Sequence, residues 1–434
     1  MMELARALAE WLGSPVTGLH RLSGGASRET WAFESGGKPL VLRREPHGAA
    51  THGRIELEAR AIRAAGRAGV PVPGVTGTGE ILGTAAMVMD RLDGETIPRK
   101  LLRDKRFEAV RPRLAHDLGV ILARLHTVSP GEVPDLPAGD PLDDLVEIYE
   151  SLAEPRPSVE IALRWLRGNR PSPGGKTVVH GDFRTGNLLI GEDGVRGVLD
   201  WELTHAGDPC EDLGWLCVRA WRFGGPGAAG GFGSREELLA GYAAGGGTPP
   251  DEATLHWWEV YGTLRWTILC RVQAERYLSG GDESAELAVL GRRVCEQEHD
   301  LLLVLGLTTP EDVEDPLPAP DLAASAPPHD RPSAAALIAS AGSFLAGLQV
   351  EDPAVRYQLR VAETALTIAR RELHLAPAHA EAHRARLAAL GLPDDAALAA
   401  RIRAGDDDPR LVEAVRAVVR DRLLVANPRH LSRR

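Results

Sequence analysis

VTGLHRL, RETWAFES and KPLVLRRE, between residues 15 and 44, set short apolar stretches between polar, turn-rich ones, which predicts three β-strands. The intervening SGGAS and SGGK are turn-forming. A helical period follows. In RIELEARAIRAAGRAG, residues Ile55, Ala59, Ile62 and Ala65 fall near one helical face. TAAMVMDRL returns to strand and stops at the turn residues DGE. Three strands, a helix and more strand predict a small α+β unit of roughly ninety residues.

Helical periodicity dominates the rest. HDLGVILARLHTV and IALRWLRGN read as helices. VVHGDFRTGNLLI then interrupts as strand, loop and strand, with VRGVLDWE as a further hairpin arm. Helices return from 234 to 305, in SREELLAGYAAG, ATLHWWEVYGTLRWTILCRVQAERYL and ELAVLGRRVCEQEHDLLLVL. A Pro-rich, acidic stretch at 307–332 has the composition of a linker without its own core. Helix patterns resume from 333 to 434, with no fixed-period repeat, no Trp or Cys, and no evident cluster of His and Asp. These patterns predict a separate all-helical C-terminal domain.

At 434 residues the chain is long enough for two or three domains. A formal charge of -11 carries no general footprint for DNA or RNA. Cys210, Cys217, Cys270 and Cys295 form no CxxC pair, so reduced, buried thiols are expected. LLLVLGL, near 301–307, is too short to span a bilayer. The N-terminal MMELARALAEWLG lacks the basic region and apolar core of a signal peptide. The expectation is a cytoplasmic protein.

The loop at 178–190 carries the chemistry. Its spacing is H-x-D-x-x-x-x-N, with His180, Asp182 and Asn187, and Asp200 follows thirteen residues after Asn187. Phosphoryl transfer uses such parts: one carboxylate orients and deprotonates the attacking hydroxyl, while an amide oxygen and a second carboxylate hold magnesium on nucleotide phosphates. A hairpin would set Asn187 beside Asp200. The competing reading is a turn in which Asp182 and Asn187 bond only to nearby backbone.

Upstream residues favour the first reading. Ser23, Gly24, Gly25, Ala26 and Ser27 form a small-residue hairpin tip whose backbone could approach a phosphate closely. Arg43 lies on the third strand, where protein kinases keep a lysine. Glu56 and Glu58, in the next helix, are both candidates to pair with it.

VLRRE, MVMDRLDGETIP, LARLHTV, VVHGDFRTGNLLI, VLDWELTHAGDPCEDLGWLCVRAWRFG and GRRVCEQEHDLL together resemble the aminoglycoside phosphotransferase-like kinase family over about residues 15–305. The resemblance is to the branch related to the kinase-like domain of acyl-CoA dehydrogenase fusion proteins. The C-terminal helices resemble a domain of unknown function that accompanies such kinases. The resemblance implies a bilobal protein-kinase-like fold: a β-rich N-lobe at 1–92 and a helical C-lobe at 93–306, with ATP and magnesium between them. It implies that Asp182 is the catalytic base, Asn187 and Asp200 magnesium ligands, and Arg43 the phosphate-binding cation. It further implies that Met89, Asp90 and Arg91 form the hinge that meets adenine. His180 would brace the loop, and Asp208 and Asp212 would cap and brace the next helix. Asp200-Trp201-Glu202 replaces the kinase DFG, so protein-kinase switching is not implied.

The implied function is an ATP- and magnesium-dependent phosphotransferase acting on a hydroxyl of a small molecule, such as a hydroxyacyl metabolite. An antibiotic kinase, or a nucleotide-binding scaffold with little turnover, are the alternatives. Trp201, Trp215, Trp221, Trp257, Trp258 and Trp266 fall in the region that would form the substrate side, although at least four are expected in the core. Residues 222–234 are glycine-rich and read as either a mobile flap or a plain surface loop. The C-terminal helices could serve a protein partner or self-association.

Overall fold

The computed structural model describes residues 1–22, 28–45, 52–319 and 331–432. The chain divides into two compact units, one built from Met1–Pro141 and Pro171–Glu259, the other from Leu142–Arg170 and Val260–Arg434.

The first unit opens with helix α1 (Met2–Leu12), strands β1 (Val16–Arg21), β2 (Glu29–Ser35) and β3 (Lys38–Arg44), helix α2 (His52–Arg67), and strands β4 (Val75–Ile81) and β5 (Thr84–Asp90). The strands form one antiparallel sheet in the order β1-β2-β3-β5-β4. Side chains alternate across it. Leu40, Leu42, Ala86 and Val88 share a core with Leu4 and Leu8 of α1. Ala85, Met87 and Met89 share the other core with Ile55, Ala59 and Ile62 of α2. Covered on both faces, β5 has no solvent side to reserve for polar residues, which is why AAMVM is continuously apolar.

Short helix α3 (Pro98–Arg103) and helix α4 (Leu114–Leu125) follow. After α5 (Pro141–Ser151) and α6 (Pro157–Gly168), β6 (Thr177–Val179) leads into the 180–187 loop and the hairpin β7 (Leu188–Gly191) and β8 (Gly194–Val198). Strand β9 (His205–Gly207) pairs with β6. Helices α7 (Cys210–Cys217) and α8 (Arg235–Ala244) and the first turns of α9 (Glu252–Leu278) complete the unit. Gly119 of α4 and Gly241 of α8 let these two helices touch backbone to backbone. A Cβ on Gly241 would fall 1.9 Å from the His116 carbonyl oxygen, and one on Gly119 would fall 2.1 Å from that of Leu238.

The second unit is helical among its described residues: α5, α6, most of α9, α10 (Ala285–Val304), α11 (Ala334–Gly347), α12 (Pro353–Ala389), α13 (Asp395–Arg403) and α14 (Pro409–Ala426). Cys295 and Leu302 of α10 share a core with Leu398, Leu411, Val415 and Leu423, and Leu307 and Val313 pack on it. Residues 307–319 have no helix or strand, yet Glu311 pairs with Arg420 at 2.5 Å and Asp315 with Arg371 at 2.5 Å. All four cysteines are free and buried. Among the described residues, no helix is long and apolar enough to cross a membrane.

Candidate functional site

Arg43 lies on the α2 side of β3, in register with Met87 of β5. Its Nη1 donates to Glu58 Oε1 at 2.7 Å, and its Nη2 to Asp200 Oδ1 at 2.9 Å. Glu58 is 1% exposed, whereas Glu56 is on the solvent side of α2. Burial opposes the charge on Arg43, but the Glu58 and Asp200 carboxylates outweigh it and hold the guanidinium more firmly protonated than usual.

Arg28 completes this cluster, and nothing in the sequence pattern singled it out. It follows directly on the Ser23–Ser27 stretch, which lies outside the described residues together with Ser23, Gly24 and Gly25. Arg28 bonds Glu58, and its Nε donates to Glu45 Oε1 at 2.9 Å. Buried Arg28 and partly buried Arg43 thus share one buried carboxylate, with Glu45 and Asp200 balancing the charge.

Asp182 sits at the centre of its loop. Its Oδ1 accepts from Arg184 Nε at 3.0 Å and Trp215 Nε1 at 2.9 Å, and its Oδ2 from Asn187 Nδ2 at 2.6 Å. Asn187 Nδ2 also reaches the Asp182 carbonyl oxygen at 3.0 Å. Both partners are acceptors, so the amide nitrogen must face Asp182, which turns the Asn187 Oδ1 away from it. Leu188 pairs with Val198, and the Leu199 N–H donates to the Asn187 carbonyl at 2.8 Å. Asn187 and Asp200 therefore leave the same end of one hairpin. An amide oxygen and a carboxylate there are hard donors that suit magnesium. Asp200 adopts φ 65°, ψ 65°, a left-handed conformation that a non-glycine residue keeps only when its surroundings impose it.

The loop is braced from behind. His180 is fully buried; its Nδ1 accepts from the Asp182 N–H at 3.1 Å and its Nε2 faces the Leu199 carbonyl at 3.0 Å. That arrangement requires the neutral tautomer with hydrogen on Nε2. Both ring nitrogens are occupied, so His180 holds backbone. Asp212 in α7 accepts from the His180 and Gly181 N–H groups at 2.7 and 2.9 Å and lies 3.3 Å from His126 Nε2. Gly181 has φ 75°, and a Cβ there would lie 2.4 Å from the Leu203 carbonyl oxygen. Asp208 caps α7 through the Cys210 N–H at 2.8 Å.

Burial alone would raise the Asp212 pKa, but His126 and the loop amides hold it below the usual range. A depressed folded pKa contributes stability above the unfolded value near ~3.9, lost as pH falls through the lower folded value. Asp212→Asn is expected to lower the urea midpoint at pH 7, with the gap from wild type narrowing as pH drops below ~4. A gap independent of pH would refute this account of the carboxylate.

Most of the tryptophans lie in the core, as expected of at least four. Trp201, Trp215, Trp221, Trp257 and Trp258 are each at most 5% exposed, and Trp266 is half-buried. Trp215 nevertheless touches Asp182, and the Arg184 guanidinium stacks 4.6 Å from the Trp221 ring centroid. Residues 222–234 are not a free flap. Gly230 N–H donates to the Leu216 carbonyl at 3.0 Å, and Thr185 Oγ1 donates to the Gly230 carbonyl at 2.8 Å. Its glycines permit self-packing: a Cβ on Gly231 would sit 2.4 Å from the Arg222 carbonyl oxygen. In the stretch expected to be the hinge, the Asp90 and Arg91 N–H groups already donate to the Gly74 and Pro39 carbonyls, at 2.8 and 3.0 Å. Neither N–H is therefore available to adenine.

With this geometry in place, similarities to known proteins become interpretable. Residues 18–258, more than half of the chain, match the phosphotransferase enzyme family APH. Residues 349–430 match a domain of unknown function, DUF6285. Acyl-CoA dehydrogenase family member 10 of Mus musculus is 31% identical over 244 residues, 50% of this chain and 22% of that protein. A probable acyl-CoA dehydrogenase of Arabidopsis thaliana is 26% identical over 371 residues, 75% of this chain and 43% of that protein. The chain thus spans less than half the length of these relatives. A macrolide 2'-phosphotransferase from Brachybacterium faecium superposes with TM-score 0.50 at 20% identity, over 72% of this chain and 100% of the other. A point mutant of aminoglycoside 2'-phosphotransferase IIIa, in its GDP complex, gives TM-score 0.52 at 14% identity, over 70% and 98%. Both likenesses concern the fold.

Proposed function

This chain belongs to the phosphotransferase enzyme family, and from that premise we propose that it transfers the terminal phosphoryl group of ATP to a hydroxyl of a small molecule, with magnesium. The observation that carries the proposal is the Asp182 carboxylate, fixed by Arg184, Trp215 and Asn187 in the loop that also presents Asn187 beside Asp200.

In this reading Asp182 receives the proton of the acceptor hydroxyl as its oxygen attacks phosphorus. Trp215 fixes the carboxylate's direction. Asn187 Oδ1 and the Asp200 carboxylate hold the cation, which when bound offsets negative charge on the phosphates. Arg43 faces the same region, tethered by Glu58. Its guanidinium already spans Glu58 and Asp200, so it contributes a fixed positive charge without needing to be recruited. Arg184 is the second cation within reach of the reacting atoms, resting on Trp221.

The surroundings of Asp182 also bear on the acceptor. Arg184 supplies a cation beside Asp182, a setting that disfavours the polyamine character of an aminoglycoside. A neutral or anionic hydroxylated metabolite fits better. Relatives named as acyl-CoA dehydrogenases support a hydroxyacyl compound as the first candidate.

Calorimetric titration with ATP tests the nucleotide step. Binding is expected with magnesium and should weaken at least tenfold in Asp200→Asn; no binding by the wild-type chain would contradict the proposal. Arg184→Ala is expected to bind ATP as wild type does while lowering kcat about 10- to 1000-fold, on the scale of lost transition-state donors. An unchanged kcat would assign Arg184 to packing alone.

A further inference from the structure

We propose that His299, Asp300 and His430 form a binding site for a divalent transition-metal ion, zinc in the first place, which fastens the end of the chain to helix α10. His299 and Asp300 are neighbours near the C-terminal end of α10, and His430 lies on the last turn, Pro428–His430. All three are buried, and one potential ligand atom from each lies within 4.8 Å of the other two. Two imidazoles and a carboxylate are the donor set that zinc and its neighbours in the first transition row prefer. At Zn–N distances of ~2.0–2.1 Å, tetrahedral ligand atoms stand roughly 3.3 Å apart, so side-chain shifts of about an ångström suffice.

A second observation points to a cation. His430 Nε2 is 3.0 Å from Asp300 Oδ1, whereas its Nδ1 is buried without a hydrogen-bond partner. The nearest acid, Glu296 Oε2, is 3.8 Å away, too far for a hydrogen bond. Neutral imidazole leaves a lone pair unmet at that atom, and imidazolium leaves a proton unmet. A metal ion at Nδ1 of the neutral ring would take up that lone pair, with Glu296 adding negative charge on the same side and Asp300 accepting the Nε2–H. The glutamate is itself positioned: its Oε1 accepts from Asn427 Nδ2 at 2.9 Å, three residues before His430.

The site is reachable. His299 lines a cavity of about 510 Å³ that is also bordered by Thr308, Thr309, Glu311, Glu413 and Leu431. The Glu311 N–H donates to the Leu431 carbonyl at 2.8 Å, which ties the segment after α10 to the chain end beside His430. The cluster escapes a reading of the C-terminal helices alone because two of its three members precede residue 307.

The experiment uses the full chain, stripped with a chelator and reloaded with zinc or cobalt. One tightly held equivalent is expected, with a visible cobalt spectrum of low coordination number and a higher melting temperature than the stripped protein. His430→Gln and Asp300→Asn should lose the equivalent, and His383→Gln, elsewhere in the same unit, should keep it. If the first two variants fail to fold, proton NMR of the cobalt-loaded wild type decides. Shifted imidazole N–H signals from two histidines support the site, and their absence overturns it. No bound equivalent and no melting shift, or full binding by a folded His430→Gln, would also overturn it and leave a plain His430–Asp300 ion pair.

Discussion

Asp182→Ala is expected to lower phosphoryl transfer by about 10²–10⁴-fold, the usual contribution of a positioned general base, while ATP binding stays close to wild type. Alanine is more informative than asparagine here. The two carboxylate oxygens accept three hydrogen bonds, from Arg184, Trp215 and Asn187. Asparagine would set an NH2 against one of these donors, most simply that of Asn187. The Asn187 amide would then rotate and withdraw Oδ1 from the side facing away from Asp182, which confounds loss of the base with loss of a metal donor. Alanine removes the acceptor and imposes no new group. The check is a turnover assay beside a nucleotide titration of the same preparation. A variant with wild-type turnover would remove Asp182 from the chemistry.

Glu58→Gln should markedly destabilise the first unit. Glu58 is 1% exposed and receives both Arg28 and Arg43. Removing one partner from a buried ion pair typically costs about 3–5 kcal/mol, because the remaining charge has lost its compensation. Glu45 still answers Arg28 and Asp200 still answers Arg43, which places the expectation toward the lower end of that range. Arg43 would then be drawn wholly to Asp200, so nucleotide affinity should fall as well. Glu56→Gln, two residues earlier on the exposed side of α2, should change stability by less than about 0.5 kcal/mol. Denaturant midpoints of the two variants make the comparison, and equal midpoints would contradict the role assigned to Glu58.

Elements set by short-range patterns were legible in the sequence. β5 shows the unbroken apolar run that burial on both faces demands, and the helical face of α2 follows from Ile55, Ala59 and Ile62. The spacing of His180, Asp182, Asn187 and Asp200 pointed to the loop, since one hairpin joins Asn187 to Asp200. What the sequence concealed depends on contacts across long separations. Arg28 reaches Glu58 thirty residues on, and Trp215 reaches Asp182 across thirty-three. The glycines of 222–234 suggested freedom, but they serve close packing against Arg222, Leu216 and Thr185. Resemblance alone pointed to Met89, Asp90 and Arg91 as a hinge, and the sequence could not show that the Asp90 and Arg91 N–H groups donate to the Gly74 and Pro39 carbonyls.

The most direct test of the central claim is mass spectrometry of products after incubation with ATP and magnesium, over a panel of hydroxyacyl-CoAs, aminoglycosides, macrolides and amino alcohols. The account predicts that at least one hydroxylated, non-polyamine compound gains one phosphoryl group with the wild-type chain and fails to do so with Asp182→Ala. A chain that binds ATP yet phosphorylates nothing in the panel, or an Asp182→Ala variant that forms the same product at the same rate, would contradict it.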